Sequence, residues 1–340
     1  MIKKVVITGG SGFLGRTLAF AAIKRGWQVV AIARHSDPAL IAEGVKFVLV
    51  DIANPDSAPL LAAAFSGADI IFHTAAKSDY WGHWKEYRAT NIYGTENVIA
   101  AAQAAGVPHL VYTSSPSVVY TGEDIINGNE SLPYSKVWKE SYYAFTKAKA
   151  EQAVLAANGK DLKTVALRPH LIWGPGDTHL LPTIVKRTSE GRLRMVGEGH
   201  NIVSLTHVAN VVHAHMQVAD ALDSGNGKIC GKAYFITDQE GVNLWQWINR
   251  ILKGLGIPEL KRENAQSLRG ACCAARLVEI FWHIFSIDCP PPITRFVAKH
   301  LARTHTFSTV AAERDFGYYS IIDSEAELAA LIESLKKGEM

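Results

Sequence analysis

The stretch Thr8-Gly9-Gly10-Ser11-Gly12-Phe13-Leu14-Gly15 constrains this chain more than any other. It joins a short β-branched run, Lys4–Thr8, to a helix predicted over 16–25 with Gly26 at its end. Gly9, Gly12 and Gly15 have the spacing G-x-x-G-x-x-G. Gly9 permits a tight turn, Gly12 lets the backbone approach a pyrophosphate, and Gly15 lets the helix pack closely on the strand. Phe13 and Leu14 sit where the loop meets the helix, whose free N–H groups and partial positive charge suit phosphates. A glycine pattern alone is weak evidence; the strand before it and the helix after it give it weight.

The next 150 residues keep the rhythm that this unit begins. Apolar strands are predicted at 28–33, 45–50, 69–73, 109–113 and 164–167, with helices at 57–65, 91–105 and 142–157. Several strands are continuously apolar rather than alternating, as in parallel strands covered on both faces. The expected fold is α/β, a Rossmann-type doubly wound parallel sheet with a smaller, discontinuous C-terminal substrate domain. A helix at 208–222 and a strand at 233–236 return to the sheet, another helix follows at 243–255, and 259–310 lack clear alternation. The expected nucleotide-binding part is 1–172 plus about 201–250. About 173–200 and 251–322 form a substrate or lid region, and 323–340 a C-terminal helix capped by Ser324.

Composition removes several classes. Lys plus Arg is 35 and Asp plus Glu 32, a net +3, so no basic face for nucleic acid is expected. The four cysteines, Cys230, Cys272, Cys273 and Cys289, form no C-x-x-C and no zinc spacing, so no metal site and a reduced, cytoplasmic chain are expected. The segment 268–287 is broken by Arg269, Arg276, Glu279 and His283 and falls short of a membrane span.

The end of the second strand bears on which nucleotide binds. A carboxylate there holds the ribose 2′-OH of NAD. Here Ala33 is followed by Arg34, His35 and Ser36, with no acid before Asp37. Arg34 is placed to pair with a 2′-phosphate, helped by His35 or Ser36. NADP(H) is therefore favoured, with NAD(H) the alternative. Asp51, and Ile52 beside it, are placed at the adenine. Thr74, Ala75, Ala76 and Lys77 follow the fourth strand where the cofactor's sugar would pass, and His73 reads as a packed strand end.

Tyr143 and Lys147 form Y-x-x-x-K on one helical face. An ordinary tyrosine is about one part in a thousand ionised at neutral pH, so a nearby ammonium is needed to lower its pKa. Such a phenol can exchange a proton with an alcohol or ketone. The fifth strand ends Thr113-Ser114-Ser115, hydroxyls at the carboxyl end of a central parallel strand, where this fold binds ligands.

In this order the glycine loop, Asp51, Asn91-Ile92-Tyr93-Gly94-Thr95, Thr113-Ser114-Ser115, Tyr143/Lys147 and Arg168-Pro169 resemble the extended short-chain dehydrogenase/reductases. Thr113–Tyr120, Arg168–Asp177 and Asn210–His215 are similar to patterns of the 3β-hydroxysteroid dehydrogenase-like branch. Ala75-Ala76-Lys77 with Trp81-Gly82, and Pro291–Phe296, look most like bacterial 2-alkyl-3-oxoalkanoate reductases, with decarboxylating sterol-4-carboxylate 3-dehydrogenases as relatives. The resemblance implies Ser115, Tyr143 and Lys147 as the catalytic set, Ser114 as the second candidate serine, and Asn91 as support for a proton relay through water. It places Pro169 at the cofactor and implies a homodimer through the helices of Asn91 and Tyr142.

The implied substrate is a bulky, lipid-like β-keto or β-hydroxy acid, a small molecule branched at the α carbon. His170, and after it Lys77, are candidates for its carboxylate; Tyr80 and Trp81 offer apolar room. Cys272, Ala275, Leu277, Val278, Ile280, Phe281, Trp282, Ile284 and Phe285 read as helix core, as a lid over alkyl chains, or as a peripheral membrane patch. Three rival readings are sterol or steroid 3β-hydroxyl oxidation with NAD, sugar-nucleotide epimerase or dehydratase chemistry, and a non-catalytic dinucleotide sensor.

Overall fold

The computed structural model describes residues 3–136, 140–178, 180–238 and 240–337. Numbered along the chain, its strands are β1 (Lys4–Thr8), β2 (Gln28–Ala33), β3 (Lys46–Leu49), β4 (Ile70–His73), β5 (His109–Thr113), β6 (Ile125–Gly128), β7 (Lys163–Pro169), β8 (Ile172–Trp173), β9 (Ile202–Val203), β10 (Thr206–His207), β11 (Lys232–Ile236), β12 (Val242–Asn243) and β13 (His305–Phe307). Seven of them form one parallel sheet in the order β11-β7-β5-β4-β1-β2-β3. The continuous apolar runs are buried throughout β4 and nearly so in β1, β5 and β7, because helices cover both faces.

The register places Thr8 beside Ile32 on one side and His73 on the other. The chain runs outward from β1 to β2 and β3, then returns to β4. The crevice of a doubly wound sheet opens at such a reversal, over the carboxyl ends of the strands.

One core packs helices Phe13–Lys24 and Val208–Asp223 against the sheet through Leu18, Ala22, Val211 and Val218. The opposite core uses helices Ala58–Phe65, Gly94–Ala104 and Tyr142–Ala156, through Leu61, Val98, Ala102 and Val154. A third core gathers Trp173, Leu181, Trp245, Ile248, Leu252, Ala298 and Leu331. Helix Leu244–Gly254, expected with the nucleotide-binding part, buries its apolar face in this third core. Ala312 and Tyr318, expected in the substrate region, pack on the first core. Strands β12-β9-β13-β6 form a small sheet, and β10-β8 a ribbon.

Residues 259–310 hold helices Leu268–Ile284 and Arg295–Ala302 before β13. The last helix, Ser324–Lys336, is capped not by Ser324 but by Asp323, whose carboxylate accepts from the N–H groups of Glu325 and Ala326. Asp323 lies one residue earlier and offers an anion to the positive helix end. The helix predicted from Asn91 begins earlier. It runs from Trp84 to Ala104 through a π-helical stretch, Arg88–Tyr93, that holds Asn91.

Candidate active site

The glycine loop is built for close approach. Gly9 has φ +71°, and its N–H donates to the Ile32 carbonyl at 2.8 Å. A Cβ at Gly9 would stand 2.9 Å from the Ala75 backbone, and one at Gly15 2.2 Å from the Gly9 oxygen. Gly10, which the G-x-x-G-x-x-G reading leaves out, is equally confined: its Cβ would meet that of Ala31 at 2.6 Å. Only a contact between loop and β2 reveals that, so spacing could not. Gly12 is the N-cap of helix Phe13–Lys24, with no side chain over the helix end and no acid in its first turn. The loop thus offers an uncapped helix terminus, which fits a pyrophosphate.

At the end of β2, Arg34, His35 and Ser36 are exposed. The nearby acid is committed elsewhere. Arg16 Nε donates to Asp37 Oδ2 at 2.7 Å, and the N–H groups of Ala39 and Leu40 donate to Oδ1. These bonds outweigh burial and hold the Asp37 carboxyl below its ordinary value. Asp51 is exposed and accepts from the Ala53 N–H, while Ile52 is buried against Gly94, where a Cβ would lie 2.8 Å away. Thr74 Oγ1 donates to the Thr8 carbonyl, and Thr74, Ala75, Ala76 and Lys77 are half-buried along the cleft.

Asn91 organises this floor. Its Oδ1 accepts from the Lys77 N–H at 2.7 Å, while Nδ2 donates to the Lys77 carbonyl and to Thr146 Oγ1. One amide therefore joins the loop after β4 to the helix that carries Tyr143 and Lys147. Its own carbonyl accepts from Thr95 Oγ1. The His73 ring spans Thr8 Oγ1 and Thr95 Oγ1 at 2.7 and 2.9 Å. Since the Thr95 hydroxyl donates to Asn91, the Nε2–H tautomer satisfies both contacts. His73 is a brace between β1, β4 and the next helix.

Ser141 caps helix Tyr142–Ala156, which sets Tyr143 and Lys147 one turn apart. Lys147 Nζ is buried, donates to the Thr113 carbonyl at 2.6 Å and lies 4.1 Å from the centre of the Tyr112 ring. Burial brings this ammonium down to about 7, with Glu151 opposing the shift. Ser115 stands within hydrogen-bonding reach of Tyr143; burial raises the phenol's pKa, and the Ser115 contact pulls it back. The Ser115 hydroxyl also accepts from the Ser117 N–H and donates to the Ser117 hydroxyl, both at 3.2 Å. The buried Ser114 hydroxyl has no partner among the described residues. Ser115 thus meets Tyr143, with Lys147 one turn along the helix and bonded to the Thr113 carbonyl; the Tyr143 phenol on its own is held protonated rather than ionised.

The expected carboxylate grips fare differently. The His170 ring is buried, with Nε2 2.7 Å from His305 Nδ1. Burial, then His305 and His300, push its pKa far down, so it is neutral and engaged rather than a free cation. Lys77 Nζ pairs with Asp79 and Glu86, each at 3.1 Å. Pro169 ends β7 beside Ile236. Tyr80 lies against Phe296 at 5.6 Å and Trp81 against His283 at 4.8 Å, so both belong to the wall facing the third core's helices.

Residues 6–266 match the model of the 3-beta hydroxysteroid dehydrogenase/isomerase family. The chain is 40% identical over 330 residues to a 2-alkyl-3-oxoalkanoate reductase of Stenotrophomonas maltophilia, covering 96% of this chain and 98% of that one. It is 34% identical to the decarboxylating sterol-4-alpha-carboxylate 3-dehydrogenase of Mus musculus, over 98% of this chain and 91% of that one. Among solved structures, MoeE5 in complex with UDP-glucose and NAD has a similar fold, with TM-score 0.74, 22% identity, and 98% and 99% of the two chains covered. The dTDP-glucose 4,6-dehydratase DesIV of Streptomyces venezuelae gives TM-score 0.74 at 21% identity, with 98% and 97% covered. The chain therefore belongs to the 3-beta hydroxysteroid dehydrogenase/isomerase family, with the extended short-chain dehydrogenase/reductase fold, and is an NAD(P)-dependent oxidoreductase of CH–OH groups.

Proposed function

We propose that this enzyme uses NADP(H) to reduce the 3-oxo group of a lipid-like 2-alkyl-3-oxo acid to the 3-hydroxy acid. The observation that supports the reading is the Ser115 contact with Tyr143, with Lys147 one turn along, on the same parallel sheet as an uncapped glycine loop. The substrate class rests on the bacterial reductase that is 40% identical over nearly both whole chains. The nearest carboxylate that NAD's ribose could use, Asp37, is tied up by Arg16, Ala39 and Leu40, while Arg34 is exposed and carries no ion pair among the described residues.

In this reading Gly9, Gly12, Phe13, Leu14 and Gly15 hold the pyrophosphate, and Arg34, His35 and Ser36 the 2′-phosphate. Asp51 and Ile52 meet the adenine. Thr74–Lys77, Thr113, Ser114 and Pro169 line the nicotinamide end. The bound nucleotide supplies the hydride. Ser115 donates to the substrate's carbonyl oxygen and fixes its position. Tyr143, held as a phenol by burial, gives its proton to that oxygen as negative charge develops there. The Lys147 ammonium lies one turn along the helix, where it stabilises the phenolate left behind. Asn91 acts as a positioning residue through Lys77 and Thr146. Tyr80 and Trp81 face the alkyl part, and neither His170 nor Lys77 supplies the carboxylate's cation. We place the enzyme in the cytoplasm, as a homodimer through helices Gly94–Ala104 and Tyr142–Ala156.

The test is consumption of NADPH and NADH with a 2-alkyl-3-oxo acid, and of NAD with a 4-carboxysterol and a UDP-sugar. NADPH oxidation by the keto acid, lowered about 10²- to 10⁴-fold in Tyr143→Phe with nucleotide binding intact, is expected. Turnover of the sterol or the sugar nucleotide alone would replace this reading. Nucleotide binding without turnover of any substrate, and no change in Tyr143→Phe, would make the chain a sensor.

A further inference from the structure

Helix Leu268–Ile284 is amphipathic in an unusual sense. The face it turns to the protein carries Ala271, Ala275 and Glu279, two small residues and an acid. Glu279 accepts from Arg295 at both carboxylate oxygens, at 2.7 Å each, which pins the helix on Arg295–Ala302. Leu268 and Cys272 pack on the third core, while five other large apolar residues point the other way. Leu277, Ile280, Phe281, Ile284 and the C-cap Phe285 are 70%, 46%, 50%, 69% and 62% exposed. At 100° per residue they fill one arc of about 140°. A lid over alkyl chains would bury that arc, so the lid reading does not fit.

One margin of the arc is basic. Arg269, Arg276 and His283 recur every seven residues and so lie in line along the helix. Arg269 and Arg276 are exposed and make no ion pair among the described residues. The helix's one acid, Glu279, is buried in its pair with Arg295. The outer surface is thus greasy in the middle and cationic at its edge, with no carboxylate of its own. A second copy pairing face to face and antiparallel would bring arginines to arginines, and in a parallel pair the arginines would meet no carboxylate of this helix. An anionic bilayer answers both features, apolar depth for the phenylalanines and phosphate for the arginines. No helix among the described residues is long and apolar enough to cross a membrane, so any such contact lies in the surface plane.

The helix also reaches the loop after β4. His283 packs on Trp81, and His83 Nε2 lies 3.0 Å from Asp288 Oδ1, so the far end of that loop is tied to this segment. We propose that helix Leu268–Ile284 docks the enzyme on the surface of an anionic lipid bilayer, with Leu277, Phe281 and Ile284 in the acyl boundary. Docked so, the wall formed by Tyr80 and Trp81 faces the membrane, and a lipid-like acid enters without crossing water. The docking deepens the substrate reading but is measured without substrate, so either can fail alone.

The experiment is sedimentation of the full chain with vesicles of phosphatidylcholine, with and without roughly one third phosphatidylglycerol. Binding to the anionic vesicles that weakens with salt is expected. The double variant Leu277→Glu/Phe281→Glu lowers it at least about tenfold, because each charge would have to enter the acyl boundary. Arg269→Gln/Arg276→Gln lowers binding to the anionic vesicles alone. NADPH oxidation with a short, water-soluble 3-oxo acid is unchanged in all of them. Absence of vesicle binding, or binding indifferent to both pairs, overturns the proposal. So does loss of short-acid turnover in Leu277→Glu/Phe281→Glu, which would mark a lid, or dissociation of a dimer by it, which would mark a self-interface.

Discussion

Lys147 shows how much of a site can be local. Its spacing from Tyr143 places both on one helix face, and that much is legible from the three letters between them. What it carries at neutral pH depends on depth instead. Burial brings it to about 7, so the ammonium is present below that pH and lost above it. Tyr143, raised by burial, keeps its proton throughout. The reductive rate should therefore fall as pH rises through about 7, as one ionisation in a pH–rate profile; a flat profile from 6 to 9 would detach the rate from Lys147. Asn91 was legible as a site residue but not in its task, since Lys77 and Thr146 stand 14 and 55 positions away. Asn91→Ala leaves the Lys77 N–H and C=O without their partner, which should cost about 1–3 kcal/mol in urea unfolding and lower kcat together. An unchanged kcat would return Asn91 to plain architecture. His170 reads as a strand-end histidine either way; its neutrality comes first from burial and then from His305, 135 residues on.

Elements of the parallel sheet are visible in the sequence because each is a continuous apolar run with a glycine or a cap at its end. The joints between elements are not, because they depend on single polar atoms far apart in the chain. Asp238, just past β11, is the clearest. It accepts from Trp173 Nε1 at 3.0 Å, from the His207 N–H at 2.9 Å and from Asn210 Nδ2 at 2.6 Å. Those donors belong to the third core, to β10 and to helix Val208–Asp223, so one buried carboxylate locks sheet, helix and substrate side together. Asp238→Ala strands three buried donors and should lower the unfolding free energy by roughly 3 kcal/mol. Asp238→Asn, which keeps one accepting oxygen, should cost less. Equal denaturation midpoints for the wild type and Asp238→Ala would show that the joint holds nothing. The π-helical turn at Arg88–Tyr93 escaped the periodicity for a related reason. A wider turn breaks the 3.6-residue spacing that marks a helix in the sequence, while Asn91 bonds the Lys77 loop.

Across the whole molecule the histidines behave as a class that the net charge of +3 conceals. His73 and His300 are brought down to about 3 and His215 to about 4, each chiefly by burial, and His170 and His305 are lowered with them. Folded, these rings are neutral; unfolded, each takes a proton near pH 6.5. Because the folded pKa lies below the unfolded one, the unfolded chain binds more protons between the two values. Stability is then complete above about 6.5 and drains away as pH falls toward 4, by up to about 1.4 kcal/mol per histidine for each pH unit. The depressed carboxylates Asp37 and Asp315 act later, as pH falls through and below the ordinary carboxylate range. Thermal unfolding should thus show Tm dropping steeply from pH 6.5 to 4.5, before the acids titrate. Replacing one ring that only braces strands, His73→Gln, should reduce that slope by about one proton, at the cost of a lower Tm at neutral pH, because glutamine cannot span Thr8 and Thr95 with the same geometry. A Tm independent of pH over that window would mean that the buried rings are charged in the fold, and the neutral His170–His305 contact beside the serines would have to be rebuilt with it.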